Sequence, residues 1–344
     1  MKKIRGIVCL ISVLAACLFA VSCDEKADPS YTHMVGDTDF KLEAFIPCSQ
    51  LLDLEASGVV YPDTYRVKWL IPVIYEDTLT GSRLTIRTPD EPCNLKVTVI
   101  TNAYGYYETE LSKVAVVIDS LKSLSGLTFK GGLITDPRDG QQYHTTYVNG
   151  LEWFAENLKW AGAGRCYYGC DVLQRIFGRL YTWKEATGGE AGEGLGGGPQ
   201  GACPEGWSVP TAEDWESLGA ALNKGVAVPF LSNWAGLGQK LTVEAYLNGS
   251  KMWPISPDNL KTNNVYWNAL PTGYSMTKST EAIYRDLNSY GMWWSSAARS
   301  ADLAYYRYIY FDADYCGVNF ANIDDLAFSV RCVRPTDVVV EVKE

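Results

Sequence analysis

Histidine is almost missing from this chain: His33 and His144 are the two in 344 residues. That scarcity removes the usual base for an activated serine or cysteine. It also removes the nitrogen ligands of a zinc site, and Cys166-x-x-x-Cys170 lacks the two-residue gap of a zinc knuckle. Positive charge is in short supply as well, with 30 Lys and Arg against 40 Asp and Glu, and no basic cluster offsets the deficit. A phosphate backbone or an anionic headgroup would be repelled, so no nucleic-acid partner is expected. Past the first 22 residues no apolar run is long enough to cross a bilayer as a helix. The glycine-rich stretch "GGEAGEGLGGGPQGA", Gly188 to Ala202, lacks the Gly-Lys-Ser/Thr ending of a phosphate-binding loop. Its glycine content and want of large apolar groups predict a mobile loop.

What is present begins with export. Met1-Lys2-Lys3-Ile4-Arg5, an uncharged and largely apolar run from Gly6 to Phe19, and "AVSC" at Ala20 to Cys23 have the layout of a secretory signal over residues 1–22. The ending resembles a bacterial lipobox with Ala20 in the place where leucine is commonest. That resemblance implies cleavage before Cys23 and lipidation of Cys23. The next residues, "CDEKADPS", resemble the acidic tethers of bacteroidete lipoproteins that reach the cell surface. Residues 23–38 are therefore expected to be a lipidated tether, and the protein an outer-membrane lipoprotein on the cell surface. Losing Lys2, Lys3 and Arg5 with the signal deepens the formal charge of -10.

From residue 39 to 119 the text is strand-like. "DFKLEAFIP", "TYRVKWLIPVIY", "RLTIRT", "NLKVTVITNAYGYY" and "KVAVVID" are rich in Val, Ile, Thr and aromatics and are broken by "PDT", "TGS", "PDEP" and "NAYG". This reads as an all-β, immunoglobulin-like sandwich. Residues 120–132, "SLKSLSGLTFKGG" with a glycine end, read as a linker. Seven cysteines follow Cys23: Cys48, Cys93, Cys166, Cys170, Cys203, Cys316 and Cys332. The odd number requires a free thiol or an unusual pairing, and disulfides fit an exported chain better than metal. A bridge between Cys48 and Cys93 is one candidate within the sandwich.

The second domain is expected over residues 133–335, with a short tail at 336–344, and it holds ten of the eleven tryptophans. Asp139-Gly140 and Asn149-Gly150 read as hairpin turns around "QYHTTYV". In "GWSVPTAEDWESL", Gly206 to Leu218, Val209-Pro210 stops a strand, and Thr211 with Asp214 forms a capping box for a helix reaching about Leu222. Ala212, Trp215, Leu218, Gly219 and Leu222 fall on one buried face. Glu213, Asp214 and Glu216 stay at the helix start or face water, where acids complement the helix dipole rather than perform acid-base chemistry. His144 reads as an ordinary strand residue.

Six blocks in order, "DPRDGQQYHTTYVNGLEWFAENL", "GRLYTWKEA", "CPEGWSVPTAEDWESL", "NALPTGY", "MWWSSA" and "FSVRCVRP", resemble those of the Fibrobacter succinogenes major paralogous domain. Ser208 and Leu151-Glu152 depart from the common pattern at structural positions. The resemblance implies an α+β domain similar to C-type lectins and to the formylglycine-generating-enzyme fold. It also implies a Cys203–Cys332 bridge, worth about 4–5 kcal/mol in the chain-entropy model; Cys166 would then pair with Cys170, leaving Cys316 odd. No catalytic residue carries over, since "YCGVNF" and "VRCVRP" do not reproduce the enzyme's cysteine context, and the protein is not expected to be an enzyme. No cofactor is expected, and the clustered hard oxygens of Asp312, Asp314, Asp324 and Asp325 make calcium the metal candidate. The turn-rich, aromatic stretch from Lys251 to Tyr290 suits a recognition surface, which makes Trp253, Trp267 and Tyr274 the ligand-binding candidates. The expected function is adhesion, or capture of a glycan or protein ligand, by a surface lipoprotein; a ligand-free structural envelope component is the runner-up, ahead of an enzyme.

Overall fold

The computed structural model describes residues 31–278 and 281–338. The signal, Cys23, the tether before Tyr31 and the tail beyond Val338 lie outside the described residues. Strand predominates over helix throughout.

Eight strands make two facing sheets. Asp39–Phe40, Leu51–Ser57 and Arg83–Arg87 form one; Phe45–Pro47, Thr109–Ile118, Cys93–Asn102, Arg66–Leu70 and Leu79–Thr80 form the other, in that order. Alternation decides what they bury. Along Arg66–Leu70 only Val67 and Trp69 are buried, as period-2 geometry requires of a sheet wet on one face. Phe40, Leu54, Ile86, Val97, Val99 and Val117 from both sheets join them in one core, with Trp69 edge-on to Phe40 at 5.4 Å. Phe45–Pro47 pairs parallel with Val116–Ile118, so the chain changes sheets between Phe40 and Phe45.

The proposed Cys48–Cys93 bridge is not formed; both are thiols. Cys48 follows the strand on one side of Thr109–Ile118, and Cys93 sits on the strand at the other side, opposite Val117. An intervening strand separates such neighbours by about twice the ~4.8 Å strand spacing, beyond the reach of a disulfide.

The segment read as a linker is tied into the body. Leu124–Ser125 pairs with Tyr246–Leu247. Thr128 donates its N–H to Asn268 Oδ1 (3.1 Å) and accepts from Asn268 Nδ2 (2.8 Å). Ile118 shares a buried cluster with Tyr167, Leu173, Val243 and Leu270.

From Leu133 onward the first sheet runs Leu133–Thr135, Gln142–Val148, Leu151–Phe154, Val333–Pro335, joining the start of this region to its end. Asn149 and Gly150 turn its hairpin with φ of 49° and 78°. The helical share expected here is small: α1 (Asp171–Phe177), α2 (Trp183–Thr187), α3 (Ala212–Leu222) and α4 (Gly238–Leu241) are all short. Cys203 bonds Cys332, with Cα atoms 5.8 Å apart. Cys166 and Cys170 do not pair; they flank a single 3-10 turn, with the Cys166 thiol directed at Asp171 and Cys170 buried beside Leu173. Cys316 is a buried thiol, and burial pushes it up to about 11.

Helix α3 is capped as the residues predict. Asp214 N–H donates to Thr211 Oγ1 (3.1 Å), and Thr211 N–H donates to Asp214 Oδ2 (2.9 Å). Asp214 is fully buried rather than facing water, and Oδ1 accepts the N–H of Gly196 (2.7 Å). Glu216 is corrected too: Oε1 accepts the N–H of Phe230 (2.7 Å) and so holds the loop beyond the helix.

These contacts overturn the mobile-loop reading of Gly188–Ala202. The loop is packed, and its glycines leave room for backbone: a Cβ on Gly198 would lie 1.9 Å from Val209 O, and one on Gly201 2.0 Å from Ala186 O.

Candidate functional site

Three antiparallel strands, Tyr290–Ala298, Leu303–Tyr310 and Gly317–Asn322, carry the site. In "LAYYRYIY" the side chains alternate between faces. Arg307 and Ile309 point into the interior, where Arg307 lies 3.5 Å from the centre of the Trp234 ring and donates to carbonyls of Ser232 and Cys316. Tyr306, Tyr308 and Tyr310 take the other face, opposite Trp294, Met292 and Tyr290. Tyr274 and Tyr315 border them.

All six tyrosines are half-buried. Their rings form a continuous surface: Tyr290 to Tyr310 at 4.6 Å, Tyr290 to Tyr308 at 6.1 Å, Tyr306 to Tyr308 at 6.1 Å and Tyr308 to Tyr315 at 6.2 Å between centres. Behind them Phe328 packs at 4.4 Å from Tyr306, at 4.5 Å from buried Trp294 and at 6.1 Å from Tyr274. Aromatic side chains so backed have little rotamer freedom to lose on binding.

Four of the hydroxyls are held neutral. Burial, with Tyr274 and Tyr290 adding to it, pushes Tyr306 up to about 12. Burial and a hydrogen bond with Tyr315 push Tyr308 higher. Tyr274 and Tyr290 are raised by burial and by the nearby Asp286 carboxylate. At neutral pH each phenol is both donor and acceptor. The face therefore combines apolar aromatic surface with uncharged hydrogen-bonding groups.

Gly317 makes one of these positions. It stands opposite Tyr308, whose ring lies over it so closely that a Cβ would be 2.4 Å from Cζ.

Of the three expected ligand contacts, Tyr274 reaches this face and the two tryptophans do not. Trp253 is 1% exposed and donates Nε1–H to Ala269 O (3.0 Å). Trp267 is 0% exposed, within 5.7 Å of Trp215 and 4.9 Å of Trp293, with the Arg331 guanidinium over its ring at 4.3 Å. Their stretch folds inward because Asn259, Asn263 and Asn268 satisfy the turn backbone internally; Asn263 Oδ1, for example, accepts the N–H of Asn268 at 2.9 Å. The alternating tyrosines of Leu303–Tyr310 were the signal for the site, being too polar at every second position for a strand buried on both faces.

The calcium candidates do not converge. Asp324 pairs with Lys184 (2.8 Å), Asp312 accepts from Ser256 (2.8 Å), and Asn322 caps the N–H groups of Asp324 and Asp325. Asp314 uses its backbone carbonyl to accept from Gly238 (2.7 Å). Among the described residues no three His, Cys, Asp or Glu side chains are placed to share an ion. His144 stacks on Phe129 at 3.8 Å, and its Nδ1 lies 3.0 Å from Glu156, which also binds Lys159 at 2.8 Å.

No curated protein matches the chain. A family model described as the Fibrobacter succinogenes major domain matches residues 146–334. That stretch is more than half of the chain and contains the whole tyrosine face, and the chain belongs to the Fibrobacter succinogenes major domain family.

Proposed function

We propose that this protein is a surface lipoprotein whose family domain, similar to C-type lectins, binds a glycan through the tyrosine face, and that its N-terminal immunoglobulin-like domain is the stalk. One observation carries the reading: six half-exposed tyrosines share a face backed by Trp294 and Phe328. Sugar rings offer apolar C–H faces to aromatic rings and hydroxyls to neutral donors and acceptors, and this face supplies both. A protein loop uses the same chemistry less fully. Binding rather than turnover is favoured because the face has no histidine among the described residues, Cys203 and Cys332 behind it are joined in a disulfide, and burial raises Cys316 out of its reactive range. The lipobox-like "AVSC" and the acidic "CDEKADPS" support attachment to the outer membrane through Cys23.

The test is a glycan array, with a host-protein array beside it, probed with the mature chain and with Tyr290→Ala and Tyr306→Ala. Each variant should keep a cooperative melt and lose at least about tenfold in affinity, as truncated aromatic anchors do. Undiminished binding by folded variants would refute the tyrosine face as the site, and signal on the protein array alone would replace the glycan with a protein ligand.

A further inference from the structure

A second aromatic surface lies at the opposite end of the N-terminal sandwich from Ile118, where the chain leaves it. Residues 58–65 and 103–108 both close that end, because Leu51–Ser57 and Cys93–Asn102 finish there while Arg66–Leu70 and Thr109–Ile118 start there. The incoming chain is fastened to both. Val35 N–H donates to Tyr61 O (2.9 Å), and Thr32 N–H donates to Gly105 O (3.1 Å). A triangle of hydroxyls, Thr38, Thr101 and Thr109, locks the base at 2.6–2.7 Å per side. On this fixed base Tyr104 is fully exposed, Val60 is 71% exposed, and Tyr31, Val35 and Tyr61 are about half exposed. Tyr61 meets Tyr106 at 6.1 Å, and Tyr31 meets Tyr107 at 5.7 Å. Large apolar groups left together on a tip mark a contact surface.

We infer that this tip rests on the outer surface of the lipid bilayer, with its tyrosines in the headgroup layer. The inference rests on the lipid anchor at Cys23. Eight residues, Cys23 to Ser30, precede Tyr31, and a chain of that length extends at most ~26–29 Å. An anchored Cys23 therefore holds the tip within that distance of the membrane, whatever path the tether takes. Tyrosine has an apolar body and a hydrogen-bonding end, the combination that partitions to membrane interfaces. Exposed Asp37, Asp63 and Glu108 outnumber Arg66 around the tip, which suits zwitterionic rather than anionic headgroups. The next segment of the chain leaves at Ile118, the far end of a ten-residue strand about 33 Å long, so the tip can lie on the membrane while the tyrosine-bearing family region stays clear of it.

The experiment uses the full mature chain purified with its lipid, in vesicles of phosphatidylethanolamine and phosphatidylcholine and, separately, in detergent micelles. Amide exchange of residues 58–65 and 103–108 should slow by about tenfold or more in vesicles, while residues 88–92, at the other end, should not change. Val60→Ser with Tyr104→Ser, both outside the core, should abolish that protection and leave the protein vesicle-bound through Cys23. Palmitate labelling of wild type, absent in Cys23→Ala, checks the anchor separately. If labelling fails, the anchor and this inference fall together; if labelling succeeds and exchange at the tip is equal in vesicles and micelles, docking alone is refuted. Protection that grows with protein concentration in the absence of vesicles would assign the surface to a second copy instead.

Discussion

Gly317→Ala tests the site without substituting any side chain offered to the ligand. The new Cβ would stand 2.4 Å from Tyr308 Cζ, 2.5 Å from Cε1 and 2.8 Å from the hydroxyl. Ordinary contact begins near 3.4 Å, so the ring must move by about 1 Å, and the methyl group cannot, because Gly317 is paired in the sheet directly opposite Tyr308. The moving part is the end of a half-exposed side chain, so the sheet survives. Overpacking of this kind costs about 1–3 kcal/mol, and loss of the Tyr308–Tyr315 hydrogen bond falls within that figure. For a region of this size the melting point should fall by about 2–4 °C per kcal/mol. Glycan affinity should fall more than stability does, since the ring leaves its place between Tyr306 and Tyr290. A double-mutant cycle isolates the cause: in a Tyr308→Ala background Gly317→Ala should cost almost nothing, because the overlapping ring is gone. Strict additivity of the two substitutions would refute the steric argument, and full binding by folded Gly317→Ala would show that the position of Tyr308 is irrelevant to recognition.

Cys203→Ser and Cys332→Ser should each destabilise the fold by about 4–5 kcal/mol, and the double variant by no more than either, as chemical denaturation under oxidising conditions would show. Trp215→Ala should cost about 3–5 kcal/mol through the cavity left among Trp153, Trp267 and Leu218, and Thr211→Ala about 1 kcal/mol through the lost cap, both read from denaturant midpoints. Glu216→Gln keeps an acceptor for the Phe230 N–H and should change stability little, whereas Glu216→Ala leaves that donor unpaired and should cost about 1–3 kcal/mol. Burial opposes ionisation of Glu156, but Lys159 and the bonds from His144 outweigh it and hold the carboxyl below its usual value. The depressed value means that its contribution is fully present above the unfolded pKa of about 4.3 and is lost as pH falls through the folded one; Glu156→Gln should flatten melting against pH across that acid window.

Local rules could be read wherever a few neighbouring residues decide the outcome. Thr211, Asp214, Trp215, Leu218 and Leu222 contain a helix start and a buried stripe, and α3 has both. The failures share a different cause, which is that a partner distant in sequence settles them. Nothing near Glu216 announces that residues 228–230 return over the helix to place the Phe230 N–H against its carboxylate. Glycine density between 188 and 202 reports conformational freedom, but not that Val209 and Ala186 carbonyls fill the space where side chains would be. Turn-prone text around Trp253 and Trp267 is the same whether the loop faces water or folds inward onto Trp215 and Trp293; the asparagine network that decides between them spans residues 128 to 268. At the site, Tyr274 was legible as an aromatic in turn-rich text, while the strand tyrosines needed the pairing of Tyr290 with Tyr310 and Met292 with Tyr308 to show that they share a face.

The sheet that joins the beginning of the family stretch to its end has a consequence for how such a unit travels between proteins. Thr146 and Val333 both pair with Trp153, one from each side, so the two ends of the matched region are separated by a single strand, about 10 Å. A unit whose entrance and exit lie side by side can be spliced into a surface turn of another protein without pulling that turn apart. It can also be re-cut, with new termini opened in an exposed turn such as Lys224-Gly225 and the old ones joined by a few residues.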